Sequence, residues 1–316
     1  TLTIGASNSC GAQNFTSVIR VPYYKQLNNA PNTGFQDVVA LTPFQVFYLG
    51  TNGKMYKTDT SGNWSSAINL PSSLSFNSDT RLFRDINNNL WIFGKGDVAK
   101  FNVTAFSWTS YFSSTGFSNS TTLNMIAVES DGTLWTSDDR QIRRGNTVIN
   151  TGTGNDFTSI AYAPTTGRIW ATTSNKNVLY YVNVNSNSIN TVNTSGILGG
   201  ASELTVAPNG DLYLTTGNGM IRANSNGTFL NAYNSSTTGG LLTSAPKRFE
   251  LDKKNNIWAV HNGRLLKIPI NGGSSKNYSF NSDLNTVSAI DLLGITGNDT
   301  DILLAKTSGN VATKIR

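Results

Sequence analysis

An aromatic residue preceded in most copies by an aliphatic or β-branched one recurs about every 44 residues through this 316-residue chain. The slot is held by Tyr48, Trp91, Trp135, Trp170, Tyr213 and Trp258, and then by Leu303, at steps of 43, 44, 35, 43, 45 and 45. Most copies follow an Asn/Asp-Gly turn, as in DGTLW at 131–135 and NGDLY at 209–213. A unit this short cannot bury its apolar face alone and must stack on copies of itself. Self-similarity of this length marks a radial array of four-stranded sheets, a β-propeller. The expected fold is all-β: a seven-bladed β-propeller with four-stranded antiparallel blades. The chain 1–316 is read as one domain, with an N-terminal segment 1–34 that includes a closing strand and blades from about 35 to 316.

Each repeat reads as four short strands, a to d, between turn residues that tolerate φ > 0. In the third, LNMIAVES (123–130), TLWTS (133–137), QIRRG (141–145) and TVINT (147–151) fill the four places. In the first, DVVAL (37–41) supplies strand a, so Val46–Leu49 is read as strand b and Met55–Thr58 as strand c. The last repeat has SAIDLLG, DILLAK and NVATKI but no strand d. A strand near the other end, within Phe15–Tyr24 or at residues 2–4, is expected to complete it and cover both exposed edges.

Composition narrows function by exclusion. Charged residues are 13% of the chain, against roughly 25% on average. Asn, Ser, Thr and Gly replace them, a neutral amide-rich surface that points to an extracellular, cell-surface or periplasmic setting. The net charge of +6 is spread without a Lys/Arg run, so nucleic acid is not expected as a partner. No stretch approaches 18 consecutive apolar residues, so no transmembrane segment is expected, and any attachment to a cell surface would run through a partner. Cys10 is the single cysteine, which excludes an internal disulfide. Nine N-x-S/T sequons are about what so much Asn, Ser and Thr produces by chance.

The repeated aromatics are expected to wedge between neighbouring blades. A second periodic element on strand c comprises Lys57, Lys100, Arg143, Arg222, Lys267 and Lys314, with Tyr181 in the fourth blade. These are read as stems covering the next blade, with a six-cation anion ring as the alternative. Loops on a rigid frame are where binding residues concentrate. The b–c turns and d–a connections leave the blades on one face, where Lys95, Arg140, Lys176, Arg264 and Lys306 make a mildly basic surface. Trp64 and Trp108 are placed on strand d, followed by Tyr111, as contacts for a glycan or protein partner.

Catalytic residues are sparse. His261 is the only histidine, so no His–His metal pair exists, and no catalytic motif lies beside it. Asp85, Glu129 and Asp252 each precede the strand b aromatic by six residues. That places them at the end of strand a, to accept turn N–H bonds, or alternatively to hold a divalent cation such as Ca in the channel. No other cofactor is expected.

The units SDGTLW, PNGDLYLTTGNGMIRAN and DKKNNIWAVHNGRLLKI resemble repeats of the two-component-regulator, NHL and streptogramin-lyase group of propellers. The resemblance implies the fold and a range of roles: sensors, protein-binding scaffolds, a lyase and metal-dependent lactonases. Lyase-like members look to need more than one histidine, which this chain lacks. Lactonase-like members use acidic ligands, for which Asp85, Glu129 and Asp252 are the regular positions. The reading is a non-catalytic binding or scaffold module recognising a protein partner or glycan, with a metal-dependent propeller hydrolase or lyase as the alternative.

Overall fold

The computed structural model describes backbone at 2–8, 11–17, 24–26, 31–42, 45–59, 63–111, 121–138, 140–149, 156–174, 178–194, 203–252, 256–270, 273–278, 292–295, 302–305 and 312–315, and side chains within 31–278. Lys176, Lys306 and Cys10 lie outside the described residues.

Strands β1 (Leu2–Asn8) and β2 (Gly11–Ser17) form a hairpin of their own, and β3 (Tyr24–Gln26) follows. Blade 1 contains β4 (Phe35–Thr42), β5 (Gln45–Gly50), β6 (Lys54–Thr58) and β7 (Ile68–Asn69). Blade 2 contains β8 (Arg81–Arg84), β9 (Leu90–Phe93), β10 (Val98–Asn102) and β11 (Ser107–Ser110). Blade 3 contains β12 (Met125–Val128), β13 (Leu134–Ser137), β14 (Ile142–Arg144) and β15 (Thr147–Ile149). Blade 4 contains β16 (Phe157–Ala163), β17 (Arg168–Thr173), β18 (Val178–Asn183) and β19 (Ser188–Asn193). Blade 5 contains β20 (Leu204–Val206), β21 (Leu212–Thr216), β22 (Gly219–Ala223) and β23 (Phe229–Tyr233). Blade 6 contains β24 (Arg248–Leu251), β25 (Ile257–His261), β26 (Arg264–Ile268) and β27 (Lys276–Tyr278). Each blade is an antiparallel meander in chain order, strands a to d.

Six blades are thus built of four consecutive strands, not the seven of the sequence reading. The remaining sheet is composite: β28 (Leu292–Ile295), β29 (Ile302–Ala305) and β30 (Ala312–Ile315) in order, with β3 as the fourth strand. Its first strand, β28, lies against β24 on one side and β4 on the other. An N-terminal strand does complete this last sheet, as the sequence reading expected, but its position is corrected. It is neither Phe15–Tyr24 nor residues 2–4, because Leu2–Asn8 and Gly11–Ser17 use their edges on each other. Tyr24–Gln26 pairs instead with Thr313–Ile315.

The apolar core lies between blades. Trp91 packs with Leu123, Ile126 and Leu134 of the blade 2–3 interface, Trp135 with Ile160, Ile169 and Val182 of blade 4, and Trp170 with Leu204, Leu212 and Ile221 of blade 5. Tyr213 does the same against Phe249, Ile257 and Leu266 of blade 6. A blade twists away from its neighbour, and a large flat ring fills the widening gap. In blade 1 the wedge is Phe47 rather than Tyr48: Phe47 packs with Leu82, Leu90 and Ile92 of blade 2, whereas Tyr48 stays with Phe35, Val38 and Trp64 of its own blade. Side chains alternate along a strand, so a one-residue offset selects the opposite face.

Candidate functional site

The carboxylates expected at the ends of the a strands are fastened in place. Trp91 Nε1 donates to Asp85 at 2.8 Å, Trp135 Nε1 to Glu129 at 2.7 Å and Trp258 Nε1 to Asp252 at 2.9 Å. Asp85 and Asp252 also accept from both the backbone and the side-chain amides of Asn89 and Asn256. Glu129 instead accepts from Arg144, whose guanidinium lies 2.9 Å away and also donates to Val184 O of blade 4. One carboxylate therefore holds a turn and an indole together. In blade 4 the same register position, opposite Arg168, is Ala163. Trp170 Nε1 accordingly has no partner among the described residues.

The strand c cations lie over the strand b aromatics. Lys100 Nζ is 5.7 Å from the Trp91 ring and Lys267 Nζ 5.0 Å from Trp258, each directly opposite its aromatic in the ladder. Lys57, opposite Phe47, reaches Phe106 of blade 2 at 5.6 Å. In blade 3 the facing cation is Arg144, not Arg143: the ladder sets Trp135 opposite Arg144, 5.6 Å from its ring. Arg222, opposite Tyr213, is bound instead by Asp211 at 2.5 and 2.8 Å. Among the described residues these charges rest on an aromatic ring or a carboxylate, which gives their periodicity a packing role.

The expected surface aromatics turn inward. Trp64 stacks on Phe35 (5.6 Å, interplanar 6°) and leans on Tyr48. It precedes β7 rather than lying in strand d, joined to Thr58 by an isolated bridge. Trp108 packs on Phe101 and donates to Asn69 O of blade 1, and Tyr111 packs on Trp91. His261 is 4% exposed, and its Nε2 meets Thr243 and Asn262. Burial lowers its pKa, opposed by a hydrogen bond to the Ala245 backbone. It ties a d–a connection to β25. Lys95, Arg140 and Arg264 are exposed on the b–c turns, Arg140 at 4.0 Å from Asp156.

A different group of residues converges at the mouth of the channel. The position on strand a two residues before the one facing the strand b aromatic is Asp37, Arg81, Met125, Ser159, Glu203 and Arg248 in blades 1 to 6, and Leu292 in the composite sheet. Each lies at the start of strand a, beside the end of strand b. The d–a connection and the b–c turn meet there, so this ring opens on the face they share. Asp37 accepts from Leu82 N of blade 2, and Ser159 Oγ accepts from Leu204 N of blade 5 at 3.3 Å: two rungs of one inter-blade contact. Two residues deeper, opposite Trp258, is Glu250. Arg84 reaches from blade 2 to Ala40 O of blade 1.

Four charged residues in the mouth ring, with Glu250 and Arg84 below, make three carboxylates and three guanidinia, all half-buried. Burial raises the pKa of Asp37, Glu203 and Glu250, and the nearby Arg248 opposes the rise in all three. Glu203 is pushed up to about 7, helped by the charges of Glu250 and Asp37. Burial lowers Arg81, with Asp37 opposing. No ion pair joins these groups among the described residues. Sequence reasoning passed over them because their residue types differ from blade to blade. Their common signal is position alone, ten or eleven residues before each wedge residue.

No family model matches the chain, and no curated protein matches its sequence. Solved structures do match its shape. A streptogramin B lyase is 14% identical with a TM-score of 0.70, over 93% of this chain and 97% of that one. The extracellular domain of the hybrid two component system BT4673 from B. thetaiotaomicron is 12% identical with a TM-score of 0.68, over 97% of this chain and 44% of that one. YCF48 bound to D1 peptide is 13% identical with a TM-score of 0.64, over 94% and 97%. At such identities the likeness is one of fold: this chain has the propeller architecture of a lyase, a sensor domain and a peptide-binding protein.

Proposed function

We propose that this chain is a non-catalytic binding module, extracellular or at a cell surface, whose partner is a protein held on the face formed by the b–c turns and d–a connections. In this reading the composite sheet counts as a seventh blade and completes the ring. The observation that carries the proposal is the mouth ring, with charged side chains from four blades converging where the exposed Lys95, Arg140 and Arg264 stand on rigid turns. Convergent polar groups at the rim of a concave site are what a specific interface uses. A glycan is less well served, because Trp64 is stacked on Phe35 while Trp108 and Tyr111 lean on Phe101 and Trp91. The peptide-bound state of YCF48 offers a precedent for a protein ligand on this architecture. The test is affinity capture from the source organism with wild type and with a Lys95→Glu/Arg140→Glu/Arg264→Glu variant. One partner retained by wild type, lost by the variant and weakened by salt supports the reading, whereas glycan-array binding unaffected by the substitutions overturns it.

A second reading, a hydrolase or lyase working at the channel, draws on Glu203, whose pKa of about 7 suits a general acid or base. A divalent cation on Asp85, Glu129 or Asp252 would first have to displace the indole N–H bonds.

A further inference from the structure

We propose that the channel mouth is a binding site for a small zwitterion of the α-amino acid type, with its carboxylate on Arg248 and its ammonium on Glu203 and Glu250. The argument is one of unmet hydrogen-bonding capacity. Arg81 donates to Ser78 O and Thr80 O, Arg84 to Ala40 O, and Asp37 accepts from Val38 N and Leu82 N. These three residues are wall. Arg248, by contrast, makes one long contact among the described residues, 3.5 Å to Lys247 O, although a guanidinium has five N–H donors. Glu203 and Glu250 have no side-chain partner among the described residues. Among the described residues a donor fork and two carboxylates are thus left without a close partner in a space only partly open to water, where an unmet charged group is expensive.

The signs decide the ligand. An isolated cation would meet Arg248 and Arg81, and an isolated anion would meet Glu203, Glu250 and Asp37. The three carboxylates and three guanidinia described there sum to no net charge, so neither ion gains from these six groups together. A molecule carrying both signs one or two bonds apart satisfies both, since a carboxylate takes a guanidinium fork in two parallel bonds and an ammonium supplies three donors to the acids. Arg248 and Glu250 project from one face of β24 two residues apart, and Glu203 comes from blade 5 beside it. A short ligand can therefore reach all three. The ring positions Met125 and Ser159 are uncharged.

The experiment is titration calorimetry of the full chain at pH 8 with glycine, L-alanine and L-leucine, set against methylammonium chloride and sodium acetate. Heat from the amino acids but from neither single-sign ion is the expected result. Arg248→Gln and Glu203→Gln should each weaken amino-acid binding by about tenfold or more, the loss of one charge-assisted bond. The circular dichroism melting curve of each variant guards against misfolding: a variant that melts like wild type but does not bind supports the site. Equal binding of acetate or methylammonium alone, no heat with any amino acid, or binding unchanged in folded Arg248→Gln overturns the proposal. This result is independent of the charge-reversal test on the b–c turns.

Discussion

Glu203 shows how one residue's surroundings set its chemistry. Its carboxyl sits where burial penalises the charged form, so the folded chain holds the proton up to about 7, while the unfolded chain releases it near 4.5. A group whose pKa is raised on folding stabilises the fold fully below the unfolded value, and that stabilisation is lost as pH rises through the folded one. Stability should therefore fall from about pH 4.5 to about 7 through this group, with Asp37 and Glu250 acting in the same direction. Arg81, Arg84 and Arg248 face the same cluster. Urea midpoints measured across this range for wild type and Glu203→Gln isolate the contribution: the gap between them should change with pH, and parallel curves would show that Glu203 titrates normally. Nothing in the local sequence ASELTV announces this behaviour, because the charges around the carboxyl, Arg248, Glu250 and Asp37, lie 45 or more residues away in the chain.

At the scale of an element, the a–b hairpin is a small hydrogen-bonded device. Asp85 accepts from the backbone N–H of Asn87 and Asn89, from the Asn89 side chain and from the Trp91 indole. The turn and the inter-blade wedge are thus fixed by one carboxylate. Asp85→Ala leaves those donors buried without an acceptor and should cost about 2–3 kcal/mol, by analogy with other unsatisfied buried groups. A lowered urea midpoint at unchanged m-value checks it, and a change under about 0.5 kcal/mol would mean that water replaces the carboxylate at no cost. The turn half of this device was legible in the sequence, since a six-residue spacing between acid and aromatic is a local relation across one turn, whereas the bond to the indole was not read there. The failure of the device in blade 4 was not legible either: the turn from Ala163 to Arg168 is one residue longer than that from Asp85 to Asn89, so counting back six from Trp170 reaches Pro164 instead of Ala163.

For the whole molecule, the decisive join is β3 on β30. Tyr24↔Ile315, Lys25↔Lys314 and Gln26↔Thr313 give the composite sheet its fourth strand. A ring of blades is stable only if each blade finds a neighbour on both sides, as in any array held by nearest-neighbour contacts. Removing residues 1–30 should leave the β30 edge unpaired, lower the melting temperature and produce concentration-dependent association through that edge. Light scattering and thermal melts of the truncated chain measure both. A truncated protein that stays monomeric and melts like the full chain would show that β3 does not close the structure.

Local relations were settled by the sequence alone: the repeat length, the turn residues, the strand frame of the first blade, most of the aromatic wedges and the place of the carboxylates at the ends of the a strands all follow from residues within one hairpin. The tertiary structure decided what depends on residues far apart in the chain. Register between strands put Arg144 rather than Arg143 over Trp135, made Phe47 the wedge of blade 1, and chose Tyr24–Gln26 over its neighbours as the closing strand. The same registers brought Asp37, Arg81, Glu203 and Arg248 to one level of the channel. Hydrogen-bond registers and inter-blade packing are set by the energy of the assembled ring, and a residue's neighbours along the chain carry no record of who will face it across the channel.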